Sequence, residues 1–220
     1  MKNKTVISLI IFSIIFMGNL FSDEKYRTIN YQEINSLLIY MKENAHSPYI
    51  DIEQKLNIKS DNLTFSDINL WLITTEKGRQ EIPINSDGAI ALPILSKTSA
   101  GEATLNINQE KEAVSISIDT GVSPVKNKEA DYWDLFILLD DTNNFISEMG
   151  GAAAWFAPSM DALSFEFEQP ATINISSKKK NYHYETDENF KIEVKVKRKL
   201  MKENPKVTFS DLPIDMYPVD

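Results

Sequence analysis

Between positions 31 and 43 apolar side chains recur every three or four residues. The residues that carry this spacing are Ile34, Leu37, Leu38 and Met41. Such a spacing places them on one face of an α-helix, where they can pack against a core. The pattern therefore predicts an N-terminal amphipathic helix over residues 31–43.

The period changes to two after Pro48, and apolar and polar residues then alternate from Ile50 onwards. Alternation of this kind is typical of strands with one buried and one wet face. Short alternating segments continue to Val122, and Asp87-Gly88 between two of them is a strong hairpin signal. We expect a meander of about six short strands in this region.

The alternation stops before Glu129, and large apolar residues recur at helical intervals from there to Met149. This predicts a longer central helix, with a buried strand over FILL at 136–139 as the alternative. Strands are predicted again for LSFEFEQ, ATINISS, YHYET, FKIEVKVKR and KVTFS, with TDEN at 186–189 as a hairpin turn. The tail DLPIDMYPVD contains two prolines, which favours an edge position or irregular structure.

Together these elements predict an α+β, mainly β fold. We expect antiparallel, sandwich-like sheets with an N-terminal amphipathic helix and a longer central helix. Residues 23–220 are long enough to bury one core, so the interpretation is a single domain.

The N-terminus has the layout of a secretory signal. Lys2 and Lys4 precede a short apolar run, VISLIIFSIIFMG, which is followed by a more polar stretch. The run is shorter than the ~20 apolar residues that a membrane-spanning helix needs. We therefore expect residues 1–22 to be a signal peptide and the protein to be exported to the periplasm or beyond. An uncleaved N-terminal membrane anchor is the alternative.

The chain contains no cysteine, which excludes disulfides, thiolate catalysis and cysteine metal sites. Without residues 1–22 its net charge is −11, but the charge is unevenly distributed. The segment Lys178–Lys206 holds 10 basic and 5 acidic residues. Export and the acidic remainder argue against nucleic acid as the partner, and an anionic envelope component is the better candidate.

Two groups of residues are candidates for contact with a partner or with lipid. The first is Trp155-Phe156 in MGGAAAWFAPSM, where a buried corner after the central helix is the alternative to an exposed patch. The second is Lys195, Lys197 and Lys199, which the predicted strand places on one face. Lysines on an exposed edge also discourage aggregation, and this role alone would account for them.

No catalytic residues, cofactor or metal site are predicted. The sequence has two histidines and lacks the nucleophile motifs of serine hydrolases, and its acidic clusters do not match a calcium-binding loop. The leading hypothesis is a non-enzymatic bacterial envelope protein that binds or assembles with another envelope component through a β edge or the Trp155-Phe156 region. A carrier of a lipid or other apolar ligand is the alternative, and a hydrolase with converging Asp, His and Ser comes third.

Overall fold

The computed structural model describes residues 26–149 and 158–220. The predicted signal peptide and the segment 150–157, which includes Trp155 and Phe156, lie outside the described residues. The described chain divides into two compact units. The N-terminal unit comprises residues 26–43 and 52–119, and the C-terminal unit comprises residues 44–51, 120–149 and 158–220.

The described residues form four α-helices and thirteen strands. Up to residue 122 the elements are β1 (Arg27–Asn30), α1 (Tyr31–Asn44), β2 (Ile50–Ile58), β3 (Leu70–Thr74), β4 (Gly78–Glu81), α2 (Lys97–Glu102), β5 (Thr104–Ile107) and β6 (Val114–Val122). The later elements are β7 (Glu129–Asp131), α3 (Tyr132–Met149), β8 (Ala162–Glu166), β9 (Thr172–Ser176), β10 (Asn181–Glu185), β11 (Lys191–Lys195), α4 (Arg198–Glu203), β12 (Lys206–Phe209) and β13 (Asp215–Val219).

The N-terminal unit contains an antiparallel sheet with strand order β1-β5-β3-β4, while β2 and β6 form a separate two-stranded sheet. Helix α1 confirms the predicted amphipathic helix, and its residues Ile34, Leu38 and Met41 are buried. Buried Asn35 accepts the N–H of Leu95 at 2.7 Å and donates to the Leu95 carbonyl at 3.1 Å. These bonds attach α1 to the extended segment that precedes α2.

In the C-terminal unit two sheets and α3 share one apolar core. The sheets have the orders β10-β9-β12-β7 and β11-β8-β13. Phe165 on β8 and Phe209 on β12 meet in this core with ring centroids 5.5 Å apart, and Tyr132 stacks on Phe136 within α3. The architecture confirms the α+β, mainly β class, and every strand pair with an assigned register is antiparallel.

The central helix begins three residues later than the apolar spacing predicts. Glu129–Asp131 form β7 instead, because they pair with β12 in the register that sets Glu129 opposite Thr208. The backbone N–H of Trp133 donates to Oδ1 of Asn204 at 2.7 Å and so satisfies one amide in the first turn. The alternative strand over residues 136–139 is wrong, since these residues are helical.

The predicted meander contains fewer strands and one more helix than expected. No strand forms over residues 82–95, although Asp87-Gly88 does make the predicted turn. Pro83 and Pro93 lie in this segment and lack the N–H that a ladder needs. Helix α2 then begins after Ser96, whose hydroxyl accepts the N–H of Ser99 at 3.2 Å. The C-terminal tail, in contrast, is regular, because β13 pairs with β8.

Gly88 occupies a conformation that a side chain would strain. Its φ is +83°, and a Cβ there would lie 2.6 Å from the carbonyl oxygen of Leu56 and 2.6 Å from the Phe65 ring. We expect Gly88→Ala to lower the free energy of unfolding by at least about 1–2 kcal/mol, measured by urea denaturation.

Gly101→Ala is the matched control. Gly101 lies in α2, and a Cβ at this position would meet no atom within 4 Å. Alanine is favoured over glycine in a helix, so this variant should be neutral or more stable by roughly 0.5–1 kcal/mol. Equal destabilisation by both substitutions would contradict the assignment of strain to Gly88.

Candidate interaction site

The structure separates the three lysines that were predicted to share a strand face. Strand β11 ends at Lys195, Lys197 is the N-cap of α4, and Lys199 lies within that helix. The strand prediction for residues 196–199 is therefore wrong. The ladder with β8 stops where Lys195 faces Ala162, and the chain turns into α4, which buries Leu200 in the core.

Two lysine-rich segments that are distant in sequence meet in the C-terminal unit. The backbone N–H of Lys178, in the turn between β9 and β10, donates to a carboxylate oxygen of Glu203 at the end of α4. This contact brings the turn beside the helix. We call the resulting group of lysines the basic surface, and it comprises Lys178, Lys179, Lys180, Lys197, Lys199 and Lys202.

Tyr182 of β10 lies where the two segments of the basic surface meet. The Nζ atoms of Lys180 and Lys197 lie 5.1 and 5.4 Å from the centroid of its ring. An ammonium group near an aromatic face is attracted by the ring quadrupole, so the ring holds two positive charges close together. Tyr182 is half-buried against the core, which gives this pair of lysines a rigid support.

Tyr132 fixes the backbone beside this aromatic ring. Its hydroxyl accepts the N–H of Lys197 at 2.8 Å, while its side chain is buried at the start of α3. Burial raises the pKa of the Tyr132 hydroxyl to about 12, although the bond from Lys197 opposes this shift. The phenol therefore remains neutral over the physiological range and acts as a hydrogen-bonding support for the N-cap of α4.

Lys195 and Arg198 are held apart from this group by acidic partners. Nζ of Lys195 lies 3.5 Å from a carboxylate oxygen of Asp161. The guanidinium of Arg198 makes two bonds with the Asp140 carboxylate, at 2.7 and 2.8 Å. Of the predicted lysines, Lys197 and Lys199 thus belong to the basic surface, while Lys195 belongs to an ion pair.

The outer face of β10 is polar and exposed. Nδ1 of His183 lies 2.6 Å from Oδ1 of Asn174 on β9, and its Nε2 lies 3.0 Å from a carboxylate oxygen of Glu185. His183 is therefore held in one orientation by neighbours on its own sheet. The alternation of side chains along β10 places Tyr182 on the opposite face.

His46 forms the second polar arrangement that involves a histidine. Asp141 on α3 is almost completely buried and accepts the backbone N–H groups of His46 and Ser47, each at 2.8 Å. Its other oxygen lies 2.8 Å from Nδ1 of His46. Sequence reasoning missed Asp141, because an acidic residue in a helix is usually exposed.

Ser47 does not complete a hydrolase triad with His46 and Asp141. The hydroxyl of Ser47 donates to the carbonyl of Asp134 at 2.7 Å, and its oxygen accepts the N–H of Tyr49 at 3.3 Å. It is thus committed to the backbone, where it supports the turn after α1. Residues 26–149 and 158–220 also contain no group of three acidic or histidine side chains placed to hold a metal ion.

The Trp155-Phe156 candidate lies outside the described residues, so its role stays a prediction. Among the helices of the described ranges, none combines the length and apolar character needed to cross a membrane.

The fold and the site define a mainly β, α+β protein with a basic surface beside an outer strand. The chain belongs to the family described as Protein of unknown function (DUF2987), which matches residues 28–167. The match covers most of the chain and ends before the basic surface begins at Lys178. No curated protein and no solved structure matches the chain.

The pair of His46 and Asp141 predicts a pH-dependent contribution to stability. The hydrogen bond and the negative charge of Asp141 raise the pKa of His46 above its ordinary value of 6.5. A group whose pKa is raised on folding stabilises the folded state fully below its unfolded value, and this contribution is lost as pH rises through the folded value. His46→Gln should therefore reduce the free energy of unfolding more at pH 5 than at pH 8.

Urea denaturation at both pH values measures this difference. An Asp141→Asn background provides the control, because the partner charge is then removed and the pH dependence of the His46→Gln effect should disappear. An equal effect of His46→Gln at both pH values in the wild-type background would show that the ion pair does not form.

Proposed function

We propose that the protein is an exported, non-enzymatic protein of the bacterial cell envelope that binds another, anionic envelope component through its basic surface. The observation that carries this proposal is that Lys180 and Lys197, from two separate lysine-rich segments, both lie beside the ring of Tyr182 on a chain whose net charge is −9. A cluster of positive charge on an acidic protein attracts partners that carry negative charge.

The N-terminal sequence supports the envelope as the location. A basic start followed by a short apolar run is typical of a secretory signal, and an exported chain without cysteine must be stabilised by its core. The apolar core that α3 shares with two sheets meets this requirement in the C-terminal unit.

The alternative function, transport of a lipid or another apolar ligand, requires an enclosed apolar cavity. Two cavities in the described part of the chain have volumes of about 250 and 230 Å³, and both are open to solvent. Sites that enclose small molecules usually measure ~300–1,000 Å³ and are mostly apolar. The second cavity is lined by polar groups that include Asp51, Ser123 and Lys126. These observations favour surface binding over carriage.

Removal of charge from the basic surface tests the proposal. We expect Lys180→Gln, Lys197→Gln and Lys199→Gln together to weaken binding to isolated envelopes of the source organism about tenfold at low salt, because each exposed charge contributes up to ~1 kcal/mol. Co-sedimentation of the purified mature protein with the envelopes measures this binding. The difference from wild type should vanish near 0.5 M salt, where screening is strong.

A variant with the same loss of charge elsewhere is the control. Lys42→Gln, Lys59→Gln and Lys77→Gln change three exposed lysines of the N-terminal unit. This control should bind as the wild type does. If the two triple variants lose binding equally, the contact depends on net charge and the proposed surface is wrong.

A further inference from the structure

Strand β10 uses only one of its two sides for pairing. The N–H of Ser177 donates to the carbonyl of Lys180 at 3.2 Å just before β10 begins. The N–H of Thr186 donates to the carbonyl of Ala171 at 3.1 Å just after β10 ends. Antiparallel strands alternate between hydrogen-bonded and non-hydrogen-bonded pairs, so the even-numbered residues of β10 bond to β9.

The odd-numbered residues of β10, which are Asn181, His183 and Glu185, direct their backbone N–H and C=O groups away from β9. All three residues are exposed. Within residues 26–149 and 158–220 no strand pairs with β10 on this side, and no hydrogen bond is made to these backbone groups. A row of unpaired backbone groups of this kind can bond to another strand.

The two ends of this open edge carry opposite charge. The turn Lys178–Lys180 precedes β10, whereas Glu185 ends the strand and Asp187 and Glu188 follow it. All of these residues are exposed. A second β10 that runs antiparallel to the first brings the basic end of each copy beside the acidic end of the other. A parallel arrangement would bring like charges together instead.

Two tyrosines of β10 favour the same arrangement. Tyr182 and Tyr184 lie on the face that meets the core, and each is only partly buried there. When two copies pair symmetrically about His183, Tyr182 of one copy stands opposite Tyr184 of the other in a non-hydrogen-bonded pair. Side chains in such pairs approach closely. The pairing therefore covers parts of both rings that solvent contacts in a single copy.

We propose that the protein forms a symmetric dimer in which the open edges of two β10 strands pair antiparallel about a two-fold axis at His183. In this register His183 faces its equivalent, and Asn181 of each copy faces Glu185 of the other. The three facing pairs supply about six backbone hydrogen bonds, two for each pair. The two four-stranded sheets become one continuous sheet. Self-association goes beyond the proposed function and does not depend on it.

Sedimentation equilibrium of the purified mature protein between about 1 μM and 1 mM measures the dimer. We expect a Kd of about 10–100 μM, because contact through one strand buries less than the ~800 Å² per partner of a standard interface. A protein that remains monomeric at about 1 mM would overturn the proposal.

Charge reversal at either end of the edge tests the antiparallel pairing. Lys179→Glu with Lys180→Glu makes both ends acidic, and we call it the acidic-edge variant. Glu185→Lys with Glu188→Lys makes both ends basic, and we call it the basic-edge variant. Each variant alone should dimerise at least about tenfold more weakly than wild type, because like charges then face each other. An equimolar mixture should form a heterodimer with a Kd within about threefold of wild type, because opposite charges face each other again at both ends.

Lys42→Glu with Lys77→Glu is the matched control. It changes two exposed lysines of the N-terminal unit and alters the net charge as much as the acidic-edge variant does. This control should dimerise within about twofold of wild type. If net charge governed self-association, the control would be as weak as the acidic-edge variant and the basic-edge variant would dimerise more strongly. Either result, or a mixture that does not associate, would contradict the pairing of the β10 ends.

A single introduced cysteine reports the register, because the chain has none of its own. At position 183 the two Cα atoms of the dimer would be about 5.5 Å apart, which a disulfide can span, whereas at position 181 they would be about 15 Å apart. His183→Cys should therefore form a covalent dimer on mild oxidation, and Asn181→Cys should stay monomeric under the same conditions. Any other pattern would overturn the two-fold axis at His183.

Amide hydrogen exchange of the wild-type protein provides a readout that does not depend on any variant. At concentrations well above the Kd, the amides of Asn181, His183 and Glu185 should exchange about three- to tenfold more slowly than at concentrations well below it. Unchanged exchange at these amides in a sample that sediments as a dimer would show that the copies meet at another surface. Circular dichroism and urea denaturation check that the variants remain folded.

Self-association and envelope binding fail independently of each other. A wild-type protein that stays monomeric would remove the dimer and leave lysine-dependent envelope binding intact. A dimer in solution, together with equal envelope binding by the two triple lysine variants, would remove the proposed function and leave the β10 pairing in place.

Discussion

The pairing register of β9 determines which groups of the C-terminal unit are buried and which are available to a partner. β9 bonds to β12 through its even-numbered residues and to β10 through its odd-numbered residues, as the bonds from Ser210 to Thr172 and from Ser177 to Lys180 indicate. The same register directs Ile173 and Ile175 into the core. A shift by one residue would expose these side chains to solvent and would turn the outward groups of β10 inward. Core packing and the open edge are therefore consequences of one constraint.

The distribution of charge follows from where the chain turns. Lysines in two sequence segments become one surface because α4 starts where the β8 ladder ends and the turn before β10 is held against Glu203. Tyr182 then supports the ammonium groups of Lys180 and Lys197 on a ring that the core immobilises. The carboxylate of Asp141 is buried instead, and it organises the backbone after α1. The ammonium groups of Lys180 and Lys197 thus lie at the surface of this unit, whereas the carboxylate of Asp141 lies inside it.

Sequence patterns identified most of the strands in the C-terminal unit, because strands such as β9 and β11 have one face in the core and one more exposed face. They were less successful where tertiary contacts override local preference. Glu129–Asp131 satisfy the helical spacing but become β7 because β12 provides a partner. Residues 196–199 continue an alternating pattern, yet the ladder has ended and burial of Leu200 favours a helix. Residues 82–95 also alternate in part, although two prolines in this segment prevent regular pairing.

The sequence by itself determined the α+β, mainly β class, the amphipathic helix α1 and the excess of positive charge after Lys178. These properties depend on the period of the side chains and on composition, which are local. Only the tertiary structure decided that Lys197 and Lys199 join the turn before β10 while Lys195 pairs with Asp161. It also decided that, within residues 26–149 and 158–220, no strand pairs with the outward groups of β10. The physical reason is that strand neighbours and the ends of ladders are set by contacts between residues far apart in the chain, which a local pattern does not encode.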